Sequence, residues 1–250
     1  MQRTTTNDHQ AVLPDAASKL SKKEQVAEMF DDIAGRYDFL NHLLSMGIDK
    51  GWRKKAIRTI AAINPKTILD VATGTGDLAI AASKAIPGAV ITGVDISEGM
   101  LEVGRKKITA QQLNQIIELK TGDSEALPFG DATFDAVTCA YGVRNFENLE
   151  AGLKDMQRVM KPGGRIAILE FSHPRQFPVK QFYNFYFRYI LPTMGKLVSK
   201  HSTAYTYLPE SVMAFPEGSV FCETLTRCGF KDAKARPLTF GITTLYTATR

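Results

Sequence analysis

ILDVATGTGDLAI, residues 68–80, sets the fold of this chain. Ile68, Leu69 and Val71 read as a short strand, Gly74-Thr75-Gly76 as a tight turn, and Asp77 with Leu78, Ala79 and Ile80 as the opening of a helix. Strand, glycine turn and helix in that order form the nucleotide-binding unit of a doubly wound sheet, whose ligands lie beyond the carboxyl ends of the strands. Ala79 stands where a dinucleotide fingerprint has its third glycine, so the pattern alone is weak. Charge discriminates further. A pyrophosphate is held by the aligned N–H groups of a helix N-terminus. A carboxylate such as Asp77 beside it would oppose that by roughly 4 kcal/mol at ~4 Å and an effective dielectric of about 20. No Gly-Lys-Ser/Thr follows, which excludes a P-loop. The turn therefore predicts a nucleotide that is phosphate-free at this point and preferably cationic.

Outward from it, β-rich runs at 67–72, 89–94, 116–121, 134–140 and 165–171 alternate with amphipathic stretches that start at Asp77, Ser97 and Asn148. Such a rhythm predicts parallel strands with right-handed crossovers, an α/β doubly wound sheet. A helix over 218–228 and two further runs, 231–239 and 242–249, joined by a turn at Phe240-Gly241, add an antiparallel edge hairpin, for a mostly parallel seven-stranded sheet. Before the first strand, Ser21-Lys22-Lys23-Glu24 matches a capping box, and Val26, Met29, Ile33, Tyr37, Leu40, Leu43 and Leu44 follow at helical spacing. One or two N-terminal helices, broken near Gly35, are expected, then a helix over 49–63 ended by Asn64-Pro65. The expected organisation is a loose tail at 1–20 and one domain at 21–250. That domain divides into N-terminal helices (21–63), a ligand-binding core (64–172), a substrate- or membrane-facing insertion (173–215), and a closing helix and strands (216–250).

Asp95 closes the second strand about 20 residues after the glycine turn, where an acid accepts hydrogen bonds from both ribose hydroxyls. Asp123, in TGDSEALPF, follows the third strand, where a carboxylate can accept from the adenine amine. Each acid alone is as well explained as a helix cap or loop residue. Three acids at the ends of successive strands suit S-adenosylmethionine, which carries an ammonium and a sulfonium and no phosphate.

With 250 residues, 44% of them hydrophobic, the chain can bury one large core. No apolar run approaches the roughly 20 residues of a membrane-spanning helix. The polar start, 1–14, reads as a tail on a cytoplasmic protein. Cys139, Cys222 and Cys228 are odd in number and lack a CxxC spacing, which argues against a disulfide framework and a zinc site, and no metal is expected. The net charge of +5 is concentrated: from 171 to 209 there is no Asp or Glu, while Arg175, Lys180, Arg188, Lys196 and Lys200 all fall there. An acidic partner, nucleic acid or an anionic membrane surface, fits that asymmetry, as does a solvated face.

YDFLNHLLSMGIDKGW (37–52) and RVMKPGGRIAILEFS (158–172), with the glycine turn, VDIS and YGVRNFEN in order between them, closely resemble the signatures of the ubiquinone/menaquinone biosynthesis C-methyltransferases. The resemblance runs from about Glu24 onward. Leu40 and Asp49 depart from the first signature, where the family usually has Met and His, and Ala140 stands where it has a small hydroxyl residue. The resemblance implies a class I S-adenosylmethionine-dependent methyltransferase fold with an N-terminal helical lid. It also implies methyl transfer from S-adenosyl-L-methionine to a ring carbon of a polyprenylated quinol, demethylmenaquinol or a methoxy-polyprenyl-benzoquinol. Carried over by position, the cofactor contacts are Tyr37, Gly74, Thr75, Gly76, Asp95, Ile96, Asp123 and Ser124.

Methylating carbon needs a quinol oxygen that loses its proton. Arg144, after the fourth strand, is placed to stabilise that oxyanion, or else it anchors its own loop through Asn145 or Glu147. Tyr141, Glu170, His173 and Tyr205 are candidate proton acceptors, with a water on Arg144 a further one. FYNFYFRYILPTMGKLV (182–198) offers aromatics on nearly every helical face, a match for an isoprenoid groove and a membrane contact through 177–200, a packed helix or a homodimer contact. A nucleic-acid methyltransferase is disfavoured because AYGVRN replaces an Asn/Asp-Pro-Pro-Tyr/Phe motif, so no nucleic acid partner is expected. A non-enzymatic cofactor-binding protein stays as a rival, and a nicotinamide oxidoreductase is disfavoured by Asp77.

Overall fold

The computed structural model describes residues 12–45, 47–185 and 203–250. Most of the aromatic stretch 182–198, and the side chains of Leu40, Leu43, Leu44 and Tyr205, lie outside the described residues.

The capping box forms at the start of α1 (Lys22–Ser45): the Ser21 N–H and hydroxyl both donate to Glu24 Oε2, at 2.8 and 2.7 Å. α1 runs unbroken through Gly35, contrary to the expected break. A lone glycine costs a helix about 1 kcal/mol, less than the polar anchors along this helix hold. α2 (Asp49–Ala61) follows and leads into β1 (Thr67–Val71). Then come α3 (Asp77–Ala85), β2 (Val90–Asp95), α4 (Glu98–Ala110), β3 (Ile117–Thr121), β4 (Phe134–Ala140), α5 (Leu149–Val159) and β5 (Met160–Phe171). β5 begins earlier than expected, because Met160 already pairs with Phe134 before a register shift near the Gly163-Gly164 bend. α6 (Val179–Phe185), α7 (Thr203–Ala214), α8 (Ser219–Arg227), β6 (Lys231–Leu238) and β7 (Thr243–Thr249) complete the chain.

The seven-stranded sheet has the order β3-β2-β1-β4-β5-β7-β6. β1 to β5 are parallel, and the closing hairpin docks by β7 running antiparallel to β5. One face carries α2, α3 and α4 on a core that includes Trp52, Ile57, Leu78, Ile91 and Leu101. The other carries α5 and α8, with Leu149, Leu153, Met156, Phe221 and Leu225 against Val71, Val137 and Ile168. Strand order reverses between β1 and β4, and the crevice that opens at their carboxyl ends is where a ligand fits. Cys139 and Cys228 are buried free thiols and Cys222 is a partly buried one. No helix among the described residues is long and apolar enough to cross a membrane.

Candidate active site

A cavity occupies that crevice. Its floor comes from the ends of the strands: Ala72 and Gly74 after β1, Asp95 and Ile96 at β2, Gly122 and Ser124 after β3, and Ala140, Tyr141 and Gly142 after β4. Val26, Phe30 and Tyr37 of α1 close it from above. The cavity therefore has two ends, one under β2 and β3 and one under β4.

Asp95 marks the first end. Its Oδ2 accepts from the Gly74 N–H at 2.7 Å and its Oδ1 from the Ser97 N–H at 2.9 Å. Burial pushes its carboxyl above the ordinary range, against the pull of those donors. Each oxygen keeps a lone pair, so the carboxylate can still take both ribose hydroxyls. The turn that donates to it holds Gly74 at φ +57° and Gly76 at φ +76°, conformations that side chains resist. Beneath the turn, buried Asp70 accepts from Thr73 and Thr138 hydroxyls, both at 2.7 Å, and burial raises its carboxyl to about 6. Nothing in its sequence context marks Asp70 as part of this scaffold.

Asp77 corrects the expectation built on its charge. It does not line the cavity; its carboxylate pairs with Lys107 of α4 and, at 3.3 Å, with Arg53 of α2. Two cations offset it, so Asp77 is not what discriminates against phosphate. Thr75 is likewise turned away, its hydroxyl donating to Asp38 of α1 at 2.5 Å and receiving Lys107 Nζ at 3.1 Å. Gly76 serves the helix start and not the cavity wall. Asp123 lies two residues past β3, with Oδ2 on Lys23 Nζ at 2.8 Å and Oδ1 on the Glu125 N–H at 2.9 Å, while Gly122 and Ser124 face the cavity beside it.

These side chains latch α1 down at three places: Lys23 on Asp123, Asp38 on Thr75, and Asp31 on the start of α4. Asp31 Oδ1 accepts from the Ser97 hydroxyl at 2.6 Å and the Gly99 N–H at 2.8 Å. A Cβ at residue 99 would come within 2.9 Å of that oxygen, so glycine admits the contact. Because α1 roofs the cavity, Asp31→Ala should release bound nucleotide faster. At about 1–2 kcal/mol for the lost bonds at an exposed site, dissociation in a stopped-flow displacement assay should accelerate roughly 5–30-fold. An unchanged rate would show that this latch does not gate the cavity.

At the β4 end, Arg144 and Glu170 form a buried pair. Arg144 Nη1 donates to Glu170 Oε1 at 3.0 Å, and the Arg144 N–H donates to Oε2 at 3.3 Å. Nη1 also donates to the Tyr141 carbonyl, and the guanidinium lies 5.6 Å from the Phe171 ring centre. Burial works against the Arg144 charge, and the Glu170 carboxylate, with the Tyr37 and Tyr207 phenols, together more than offsets it. Arg144 thus anchors its loop through Glu170 and does not line the cavity. Tyr141 lines it at φ +62°, but its ring packs with Trp52 and Phe171 and its hydroxyl lies 3.5 Å from Thr243. Burial pushes that phenol far up, so it keeps its proton at neutral pH and is unsuited as a base. His173 sits off the cavity: its N–H donates to Glu217 Oε2 at 2.8 Å, and its Nδ1 lies 3.3 Å from the same oxygen. Asn145 lines the cavity with a buried Oδ1 that has no hydrogen-bond partner among the described residues. From sequence Asn145 reads only as an anchor for Arg144; its place in the loop that follows the fourth strand is the signal that could have found it.

No group of His, Cys, Asp and Glu among the described residues could hold a metal ion. The sequence profile of the ubiE/COQ5 methyltransferase family matches residues 18–250. The chain belongs to this family. It is 50% identical over 229 residues to a demethylmenaquinone methyltransferase of Bacteroides fragilis, a match covering 92% of this chain and 94% of that one. To a ubiquinone/menaquinone biosynthesis C-methyltransferase of Geotalea daltonii it is 48% identical over 231 residues, covering 92% and 98%. Among solved structures, human N-acetylserotonin methyltransferase in complex with S-adenosylmethionine superposes with a TM-score of 0.63 at 16% identity, over 92% of this chain and 60% of that one. The last likeness is one of fold, the class I methyltransferase sheet. Membership of the ubiE/COQ5 methyltransferase family makes S-adenosyl-L-methionine the cofactor. The cavity fits it: an acid for the ribose, a glycine turn without a P-loop lysine, and an apolar roof.

Proposed function

We propose that this enzyme methylates a ring carbon of demethylmenaquinol to give menaquinol. Identity of 50% across nearly the whole chain to a protein of that activity carries the reading. Asp95 would hold the ribose of S-adenosyl-L-methionine, with Ile96, Gly122 and Ser124 beside it and Tyr37 over it. When bound, the cofactor supplies a methyl group whose bond to sulfur breaks as the bond to the ring carbon forms. That carbon becomes nucleophilic when the neighbouring quinol hydroxyl loses its proton to water; when aromaticity returns, the ring hydrogen leaves as a proton and the oxygen is reprotonated, for a net release of one proton. The β4 end supports the acceptor: the unmet Asn145 Oδ1 takes a hydroxyl donor, and Arg144, locked by Glu170, fixes the loop that aims it. Arg144 is then a positioning residue whose charge is largely balanced.

Labelled S-adenosyl-L-methionine, offered with a membrane lipid extract and RNA, should pass its label to a quinone. Label in RNA alone would overturn the assignment, and no transfer at all would favour a non-enzymatic binding protein.

The acceptor's isoprenoid tail lives in a membrane, and we propose that the surface around α6 meets it there. Phe177, Phe182 and Phe185 are 81%, 71% and 54% exposed, beside Arg175 and Lys180 in the stretch without acids. Aromatic rings that enter the headgroup layer, with basic side chains facing anionic lipid, suit reversible binding. Serine at all three phenylalanines should reduce flotation with vesicles rich in anionic lipid at least roughly tenfold while leaving S-adenosyl-L-methionine affinity intact. Equal flotation of the triple variant would assign these rings to another role.

A further inference from the structure

Tyr207 of α7 carries a hydroxyl that no described residue bonds. The side chain is 3% exposed and packs with Val26 and Met29 of the lid helix. Its Oη is buried and meets no hydrogen-bond partner among the described residues. Buried tyrosine hydroxyls usually find a partner, and leaving one unmet costs stability that phenylalanine would not forfeit. A position that needed only the ring is better served without the oxygen.

The surroundings say where the oxygen lies. α7 packs against α1 and against the turn Val143–Asn145, which carries the unmet Asn145 amide oxygen. Val26 touches both the Tyr207 cluster and the cavity. Arg144 and Glu170 are close enough that their charges act on the Tyr207 hydroxyl. The turn and the Arg144–Glu170 pair belong to the β4 end, on the far side of β1 from Asp95. A donor and an acceptor, both buried and unmet, thus lie on neighbouring elements: Asn145 lines the cavity, and Tyr207 sits one layer behind it, against the lining residue Val26.

We propose that Tyr207 Oη donates a hydrogen bond to an oxygen of the acceptor ring, orienting the ring and taking up part of the negative charge as that oxygen is deprotonated. This rests on the quinol reading above. Burial pushes the Tyr207 phenol far above its ordinary range, so it stays a donor at neutral pH and does not serve as the base. Asn145 Oδ1 complements it by accepting from the acceptor's other polar group.

Tyr207→Phe removes the one atom in question and keeps the ring. With reduced short-chain demethylmenaquinone and S-adenosyl-L-methionine, kcat/KM for the quinol should fall about 10–100-fold, the range of a donor to a developing oxyanion. Affinity for S-adenosyl-L-methionine should stay within about twofold, and the ligand-free Tm should hold or rise, since an unmet polar group is gone. A kcat/KM within about twofold of wild type would overturn the proposal. So would a Tm lowered by several degrees, which would place the hydroxyl in a bond within the protein. Failure of the quinol reading looks different: the wild type itself would methylate neither demethylmenaquinol nor the methoxy-benzoquinol. The Tm comparison decides in that case too, a loss rejecting Tyr207 as a contact and a gain keeping it for another phenolic acceptor.

Discussion

Glu170→Gln should destabilise the protein by about 3–5 kcal/mol, the cost of stripping one partner from a buried ion pair. For a chain of this length that is a drop in Tm of roughly 6–20 °C. The reason lies in the valences of the carboxylate. Glu170 Oε1 accepts from Arg144 Nη1 and from the Phe171 N–H, and Oε2 accepts from the Arg144 N–H. An amide can accept at only one of these oxygens, and its NH2 group would face a donor while the guanidinium stays buried and uncompensated. Burial alone already lifts the Glu170 carboxyl above its usual range, with Arg144 pulling it back. Replacing both members, Arg144→Met with Glu170→Met, should restore much of the stability, because a well-packed apolar pair avoids the desolvation cost. Turnover should not return with it, since the loop that aims Asn145 would have lost its anchor. Thermal denaturation of the single and double variants checks the first part. A double variant with wild-type turnover would refute the positioning role of Arg144.

Asp95→Ala should weaken S-adenosyl-L-methionine binding roughly 100-fold or more by calorimetry. Two hydrogen bonds to a charged carboxylate are worth about 1.5–3 kcal/mol each. The side chain also holds the Gly74 and Ser97 N–H groups, so its removal loosens the turn after β1 and the start of α4 together. Asp95→Asn, which keeps one acceptor, should lose less. Affinity within about threefold of wild type for the alanine variant would contradict the ribose assignment.

Asp95 was legible in the sequence because its place depends on local rules: a strand ends, and a helix begins three residues later. The glycine turn was legible for the same reason, since positive φ at Gly74 and Gly76 is a property of single residues. Asp77, Thr75 and Asp123 obeyed the same positional rules yet face Lys107, Asp38 and Lys23, partners that lie about 30 to 100 residues away along the chain. Arg144 shows the same limit. Its position after the fourth strand was readable, whereas its pairing with Glu170 depends on β4 and β5 being neighbours in register. Gly35 was over-read from local propensity, because a helix held by Asp31 and Asp38 at α4 and the glycine turn tolerates one poor residue.

By itself, then, the sequence determined what repeats or turns within a few residues: seven strands, their helices, the glycine turn, the acid that ends the second strand, and the signature segments that place the chain among quinone C-methyltransferases. Only the tertiary structure decided which carboxylates are offset by cations, which polar atoms remain unmet at the cavity, and how the lid is latched. The physical reason is range. Backbone conformation follows side chains close in sequence, whereas the charge and hydrogen-bond balance of a buried group is set by whatever the fold brings within a few ångströms of it.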